Sequence, residues 1–449
     1  LTVIVVINLI VAQIPTSKTQ IDLSTQKMYS ITDDTKTALK DLDQDVTLYY
    51  IVQKGSENDT IQKLLQHYED LSDHIKVEQK DPDLYPKFTS QYTDQTVAAN
   101  SVIVVCGDKS KVVNNSDMWE TSTNYQTYQT QTTGFDGEGQ ITSAITYVTS
   151  DNNPKVYWIT GHNEPSESDL SSNFSDAISK NNVEISELSL MTEDIPEDAK
   201  ELVIMSPTVD YSEDEANKVI SYLENGGKLL MFTSYTGTDM PNLDSILENY
   251  GVKRSSGIVV ETDSQHYYPQ MPYYLLPNIG SDDITTEVKS NYILMPVAQA
   301  IQQLDSYRDT ITIKSLLTTT EDAYIENDPE NSTWSKSADS ETGAFDLGVS
   351  ITETVDDKET QIIYFSSASM LSSQIDQAIS GANSKLAATA LTSMCDVEQT
   401  VVIPSKSTSY TNLVFTQGAV NTWSIITIAG IPLVLVVIGV MIWMKRRKQ

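Results

Sequence analysis

Residues 201–233 read ELVIMSPTVDYSEDEANKVISYLENGGKLLMFT, and the order of patterns in this stretch sets the fold. Glu201–Met205 is a short apolar run of the kind a buried strand shows. Ser212-Glu213-Asp214-Glu215 has the spacing of a capping box, in which Ser212 accepts from the backbone of Glu215 while the Glu215 carboxylate reaches back. The helix it opens carries Ala216, Val219, Ile220 and Leu223 at helical spacing and stops at Gly226-Gly227, where a left-handed C-cap carries no Cβ penalty. Lys228–Thr233 then reads as a second strand. Strand, capped helix and strand at this spacing predict part of a parallel, doubly wound sheet.

The alternation continues on both sides. Upstream lie a strand at Lys155–Thr160, the turn Gly161-His162-Asn163-Glu164-Pro165, a helix from about Asp169 to Asn181 and a strand at Val183–Leu188. Downstream, Leu243–Tyr250 reads as a helix, and Gly257–Val260, Tyr292–Ala298 and Thr310–Leu317 as extended segments around a Tyr/Pro-rich loop at His266–Pro277. Residues 321–342 are acidic and polar and read as a mobile loop. Phe345–Thr354 and Thr360–Ser366 form a hairpin about Asp356-Asp357, and Ala378–Cys395 a closing helix. Nearer the start, Val46–Val52, a helix over Thr60–Leu71, Ile75–Gln79, a short helix over Tyr85–Tyr92 and the Ser101–Cys106/Lys111–Val113 hairpin give a βαβαββ order expected of a thioredoxin-like layer. It has no Cys-x-x-Cys pair, which excludes thiol redox chemistry of that kind. Residues 119–139 read as a loop.

The expected fold class is therefore α/β, with a thioredoxin-like N-terminal unit and a flavodoxin-like or glutamine-amidotransferase-like parallel-sheet unit, flanked by transmembrane helices. The expected parts are 1–15 (partial N-terminal transmembrane helix), 19–118 (thioredoxin-like domain), 119–153 (linker and helix) and 154–405 (doubly wound domain with inserted strands and loops). A juxtamembrane segment at 406–422, a transmembrane helix at 423–444 and a basic cytoplasmic tail at 445–449 follow.

The membrane expectation rests on WSIITIAGIPLVLVVIGVMIWM, Trp423–Met444, which has no charged side chain and is followed at once by Lys445-Arg446-Arg447-Lys448. About 20 apolar residues cross a bilayer, and clustered Lys and Arg favour the inner face. Leu1–Ile14 reads as the remainder of a second span, truncated at its front. On this reading the large acidic domain lies outside the cell membrane and the C-terminus is cytoplasmic.

Twenty-nine Lys and Arg against 62 Asp and Glu give a net charge of −33, which repels phosphate backbones and argues against nucleic-acid binding. Two cysteines, Cys106 and Cys395, supply neither a disulfide framework nor a Cys-rich zinc site. No Walker A motif or Gly-rich phosphate cradle occurs, which argues against nucleotide hydrolysis by this chain.

The motif order resembles a family, the GldG-like ectodomain subunits of ABC transporters and the auxiliary proteins of the ABC-type uncharacterised transport system. The matching pieces are Asp22-Leu23-Ser24, Lys27–Thr32, Lys76-Val77-Glu78 with Asp81-Pro82-Asp83, and Glu138-Gly139-Gln140 with Thr142–Ile145. Gly161-His162-Asn163-Glu164 stands where the family has Gly-His-Gly-Glu, and Tyr222–Leu230 and Ser366–Met370 through Asn383 complete the match. The resemblance implies a non-catalytic partner of a permease and a cytoplasmic ATPase, in contact with membrane lipid, without a cofactor; homo-oligomerisation inside such a complex is compatible with it. A membrane-anchored ligand-binding or adhesion module is the alternative, and a cryptic hydrolase a third reading.

No catalytic or metal residues are assigned. His162 and Glu164 follow the carboxyl end of the first strand of the second unit, where open α/β sheets bind ligands; the bland alternative is a hydrogen-bonded turn with a solvated Glu. Asp210 and Tyr211 can face the same crevice, although an Asp there also supports a turn. Tyr267 and Tyr268 can stack on a ligand, or serve as a packing plug or protein contact. Ser206, on the turn after Met205, occupies the place of a nucleophile in glutamine-amidotransferase-like sheets but lacks the Gly-x-Ser-x-Gly context.

Overall fold

The computed structural model describes residues 27–93, 96–124, 129–150, 153–329, 333–395, 403 and 405–408. The chain forms two compact units, one of residues up to Glu120 with Phe135–Lys406, the other of Thr121–Gly134 with the residues from Ser407 on.

The first layer comprises α1 (Asp33–Ala38), β1 (Val46–Ile51), α2 (Asp59–Leu71), β2 (Ile75–Lys80), β3 (Ser101–Cys106), β4 (Lys109–Val113) and α3 (Gly137–Thr149), while β5 (Trp119–Asn124) and β6 (Gln129–Phe135) fall mostly in the other unit, where they pair in a sheet of their own. Asn58 opens α2 by accepting from the backbone of Thr60 and Ile61. Its Ile61, Leu64, Leu65 and Tyr68 then fall on one buried face. They cover a four-stranded sheet of order β2-β1-β3-β4, in which β1 runs parallel to β2 and antiparallel to β3. Ile141, Ala144, Ile145 and Val148 of α3 enter the same core.

The rest of the chain supplies β7 (Lys155–Ile159), α4 (Ser172–Lys180), β8 (Glu184–Leu188), β9 (Ala199–Met205), α5 (Glu213–Glu224), β10 (Lys228–Phe232), α6 (Pro241–Glu248) and β11 (Val252–Val260). Short strands follow, β12 (Tyr267–Tyr268), β13 (Met271–Leu275), β14 (Asn278–Ile279) and β15 (Met295–Pro296), then β16 (Gln299–Gln303), β17 (Ile311–Thr318) and β18 (Tyr324–Glu326). The last elements are β19 (Asp346–Val355), β20 (Lys358–Phe365), α7 (Ser373–Ala378) and α8 (Ala382–Met394). Strands β8-β7-β9-β10-β20 are mutually parallel. Beyond β20, the strands β19, β16, β11 and β18 add antiparallel to one another, and β17 on β19 with β14 on β17 complete a mixed sheet of eleven strands where the sequence predicted a parallel one.

Both faces of the parallel half are covered, which is why β9 reads as an unbroken apolar run rather than an alternating one. Val203 and Met205 pack into the core that includes Phe174 of α4 and Leu386 of α8. Leu202 and Ile204 pack into the opposite one, with Val219 of α5 and Leu243 of α6. The first layer is pinned to this sheet through Lys111, whose ammonium donates to the Ser179 carbonyl at 2.6 Å and to Asn182 Oδ1 at 3.2 Å. Burial there pushes the ammonium down to about 8.

Three local expectations are corrected. Part of 119–139 is strand rather than loop, with the Trp119 and Phe135 rings 4.6 Å apart. Part of 321–342 is β18, whose Tyr324 and Ile325 are buried as it pairs with β11. The closing helix, α8, begins at Ala382 rather than Ala378, after Ser380 and Gly381 take positive φ, and a short helix, α7, precedes it.

The membrane-flanked fold class is corrected as well. Among the described residues no helix is long and apolar enough to cross a membrane. The longest of them, α2, α3 and α8, have 13 residues each, against about 20 for a span. The spans expected at 1–15 and 423–444, with the basic tail, lie outside the described residues. The topology drawn from them, with the large domain outside the cell membrane and a cytoplasmic C-terminus, has no membrane-crossing helix behind it among the described residues. The finding is an α/β chain with mixed sheets.

Candidate functional site

The parallel strands place β8 on one side of β7 and β9 on the other, so the chain changes direction between β7 and β9. Open α/β sheets take ligands at the carboxyl ends of strands at such a switch. Here the two loops at that point are Gly161–Pro165, after β7, and Ser206–Asp210, after β9. Gly161 has φ +130°, and a Cβ there would lie 3.3 Å from Met191 Sδ, so the turn favours glycine on both counts. The next residue, His162, is turned inward and is 5% exposed. Asn163, at φ +62°, sends its amide nitrogen to Thr208 Oγ1 at 3.2 Å.

Around the His162 ring stand two carboxylates and a phenol. Glu164 folds back so that one oxygen accepts the His162 backbone N–H at 2.6 Å. Its other oxygen lies 3.5 Å from His162 Nδ1 and accepts from the Tyr211 hydroxyl at 3.3 Å. On the far side, Glu215 Oε2 lies 3.3 Å from His162 Nε2 while accepting the backbone N–H and hydroxyl of Ser212 at 2.9 and 2.7 Å. The Tyr211 ring packs at 4.3 Å from the imidazole, tilted by 33°. Burial by itself would raise the Glu215 carboxyl, but the Ser212 hydrogen bonds and the neighbouring imidazole outweigh it and hold it below the usual value. Burial, reinforced by the Glu164 charge, pushes the Tyr211 phenol well up, so it remains a donor.

His162, Glu164 and Tyr211 thus come together, and the capping-box residue Glu215 joins them. The sequence showed the box but not its second contact, because the helical position of Glu215 says nothing of which loop lies above it. Asp210 is adjacent in sequence but does other work: its carboxylate accepts from the backbone of Asn242 and Leu243 at 3.2 and 3.0 Å and from the Asn242 amide at 3.1 Å. It caps α6, whose own N-cap residue, Met240, supplies no side-chain acceptor. Tyr267 and Tyr268 lie in a different sheet, β12-β13-β15, where Tyr268 pairs in register with Met271. Both partners of that pair are exposed, at 44% and 38%.

Ser206 has the sharp turn of an attacking serine, with φ +48°, but its hydroxyl donates to Ser234 Oγ at 2.8 Å. Both nitrogens of the His162 ring face carboxylates instead. Among the described residues no group of three or more His, Cys, Asp and Glu is arranged to hold a metal ion.

Fold and site together define a two-layer α/β scaffold whose switch-point corner is filled by its own side chains. The model of the family described as ABC-type uncharacterized transport system matches residues 153–393, more than half of the chain. The chain belongs to that family, and membership gives it a non-catalytic accessory role associated with ABC-type transport. A second match, Domain of unknown function (DUF7088), covers residues 25–119. No curated protein matches the sequence.

Among solved structures, similarity is found to the mmIFT52 N-terminal domain, at 14% identity over 54% of this chain and 98% of that one, with a TM-score of 0.40. A ThuA-like protein from Parabacteroides merdae is similar at 13% identity over 59% and 95%, with a TM-score of 0.30. The exo-beta-1,4-mannosidase Op5Man5 from an Opitutaceae bacterium is similar at 9% identity over 75% and 49%, with a TM-score of 0.29. Similarities at this level carry no argument about function.

Proposed function

We propose that this chain is a non-catalytic accessory subunit that packs against the permease of an ABC transporter and works with its ATPase subunit. The family match across the mixed sheet is the observation that carries this reading. The proposal assigns His162, Glu164, Asp210 and Tyr211 to support of the loops at the switch point, since the Glu164 and Asp210 carboxylates and the Tyr211 hydroxyl are engaged within the corner or by neighbouring backbone and the His162 ring lies between two carboxylates. It assigns protein contact to the Tyr267–Tyr268 hairpin, where an exposed Tyr and Met sit side by side. Aromatic and Met side chains are enriched at such contacts.

Affinity capture of the tagged chain from its native cells tests the reading. A permease and an ATPase of the ABC type are expected to copurify in fixed ratio. Recovery of the chain as a lone, stable monomer under several mild extraction conditions would overturn it.

A further inference from the structure

We propose that Glu138 is a latch, one buried carboxylate that fastens residues distant in sequence, Ser30–Thr35 on one side and Ile403 with Ser405 and Lys406 on the other, onto the first turn of α3. The inference concerns the mechanics of this chain and does not depend on the transport reading.

Glu138 is 2% exposed. Its Oε1 accepts the backbone N–H and the hydroxyl of Thr32, each at 2.7 Å, and the hydroxyl of Thr35 at 2.7 Å. Its Oε2 lies 2.7 Å from the ammonium of Lys406, whose side chain is 11% exposed. Lys406 also donates to the Ser30 carbonyl, which closes a ring of contacts between the two segments. Below the carboxylate, the Tyr68 hydroxyl donates to the Glu138 carbonyl at 2.9 Å, and Thr35 and Thr142 hydroxyls meet at 3.1 Å, so α2 and α3 hold the latch rigid. The later segment lies close over the helix: a Cβ at Gly139 would stand 3.2 Å from the Ile403 carbonyl and 2.6 Å from Asp136 Oδ1.

The two segments use different oxygens of the one carboxylate, and this sets how each responds to damage. Removing the Lys406 charge leaves Oε1 and its three donors in place. Neutralising Glu138 weakens both sides, and it leaves the Lys406 ammonium buried without its partner. A buried pair loses far more when one charge is removed than a surface pair does, and the long lysine stem then lets the ammonium swing to water. Ile403, Ser405 and Lys406 therefore form a releasable strap.

The test places a cysteine at Ile403, which is 7% exposed, and reads strap release as its labelling rate by a thiol reagent. Parallel hydrogen exchange reads the amides of residues 30–36. In Lys406→Met, labelling at position 403 is expected to accelerate by about tenfold or more, with exchange at 30–36 unchanged. In Glu138→Gln both readouts are expected to accelerate. The proposal is overturned if Lys406→Met leaves the 403 thiol as slow as in the parent, or if Glu138→Gln leaves either segment protected. Should Glu138→Gln fail to fold, the Lys406→Met result decides.

Discussion

The backbone N–H of Thr208 donates to the carbonyl of His162 at 3.0 Å, so the loops after β7 and β9 are hydrogen-bonded to each other across the switch point. In a ligand-binding sheet of this order the crevice between those loops is where the ligand enters. Here the bridge is continued by Asn163 to Thr208 and by the Tyr211 ring over the imidazole. The corner is held by side chains of the protein itself.

His162→Ala follows directly from that geometry. Without the imidazole, Glu164 and Glu215 remain as two buried carboxylates with no polar group between them. A loss of about 2–4 kcal/mol is expected, the range for uncovering a buried charge or opening a packed site. Urea denaturation of the variant and the parent measures it. A difference within about 0.5 kcal/mol would show that the ring is not what holds the corner.

Asp210→Ala removes the cap of α6. Because Met240 offers no acceptor and Asp210 engages the first free N–H groups of the helix, the expected cost is about 1–2 kcal/mol. Amide exchange at Asn242 and Leu243 is expected to rise ahead of the rest of the helix. Equal exchange in both proteins would show that water replaces the carboxylate without cost.

Tyr268→Ala with Met271→Ala separates contact from stability. Both side chains are exposed, so the double variant is expected to change stability by no more than about 0.5 kcal/mol and to reduce recovery of the permease in affinity capture. Full recovery with the double variant would remove this hairpin from the proposed contact surface while leaving the accessory reading intact.

What the sequence disclosed was what short-range chemistry determines. The Ser212–Glu215 box and the Gly226-Gly227 stop mark both ends of α5, and each acts within a few residues. The apolar run Leu202–Met205 marked a strand covered on both faces. The β19–β20 hairpin was legible, but the antiparallel addition of β16, β11 and β18 beyond it was hidden, because those strands are separated by long irregular stretches and strand order depends on pairing partners rather than on local pattern. β18 is three residues long, too short for a periodic signal among acidic neighbours. The Asp210 cap acts on a helix about thirty residues further along, and the Glu138 carboxylate on segments more than a hundred residues before it and more than two hundred after it. Neither leaves a mark in any local window.

Glu201 gives the sharpest dependence on pH. It begins the apolar run of β9 and is fully buried, with the Cys395 thiol donating to its Oε2 at 3.1 Å. Burial pushes its carboxyl well above the ordinary 4.5, and the Cys395 contact and the Lys228 charge pull it only part of the way back. The folded protein therefore keeps this proton at pH values where the unfolded chain has already released it. In that window the native state binds more protons than the unfolded state, so the contribution of Glu201 to stability is present in full below pH 4.5 and is lost as pH rises above it. Glu201→Gln keeps the shape and abolishes the titration. The variant is expected to melt with the parent near pH 4 and to melt above it at about pH 7–8, because only the parent has to keep or release a proton inside the folded core as pH rises. Thermal unfolding of both proteins across that range is the measurement. Two melting curves that stay parallel at every pH would mean that the carboxyl titrates alike in the folded and unfolded chain, and that the interior around Cys395 is wetter than its packing indicates.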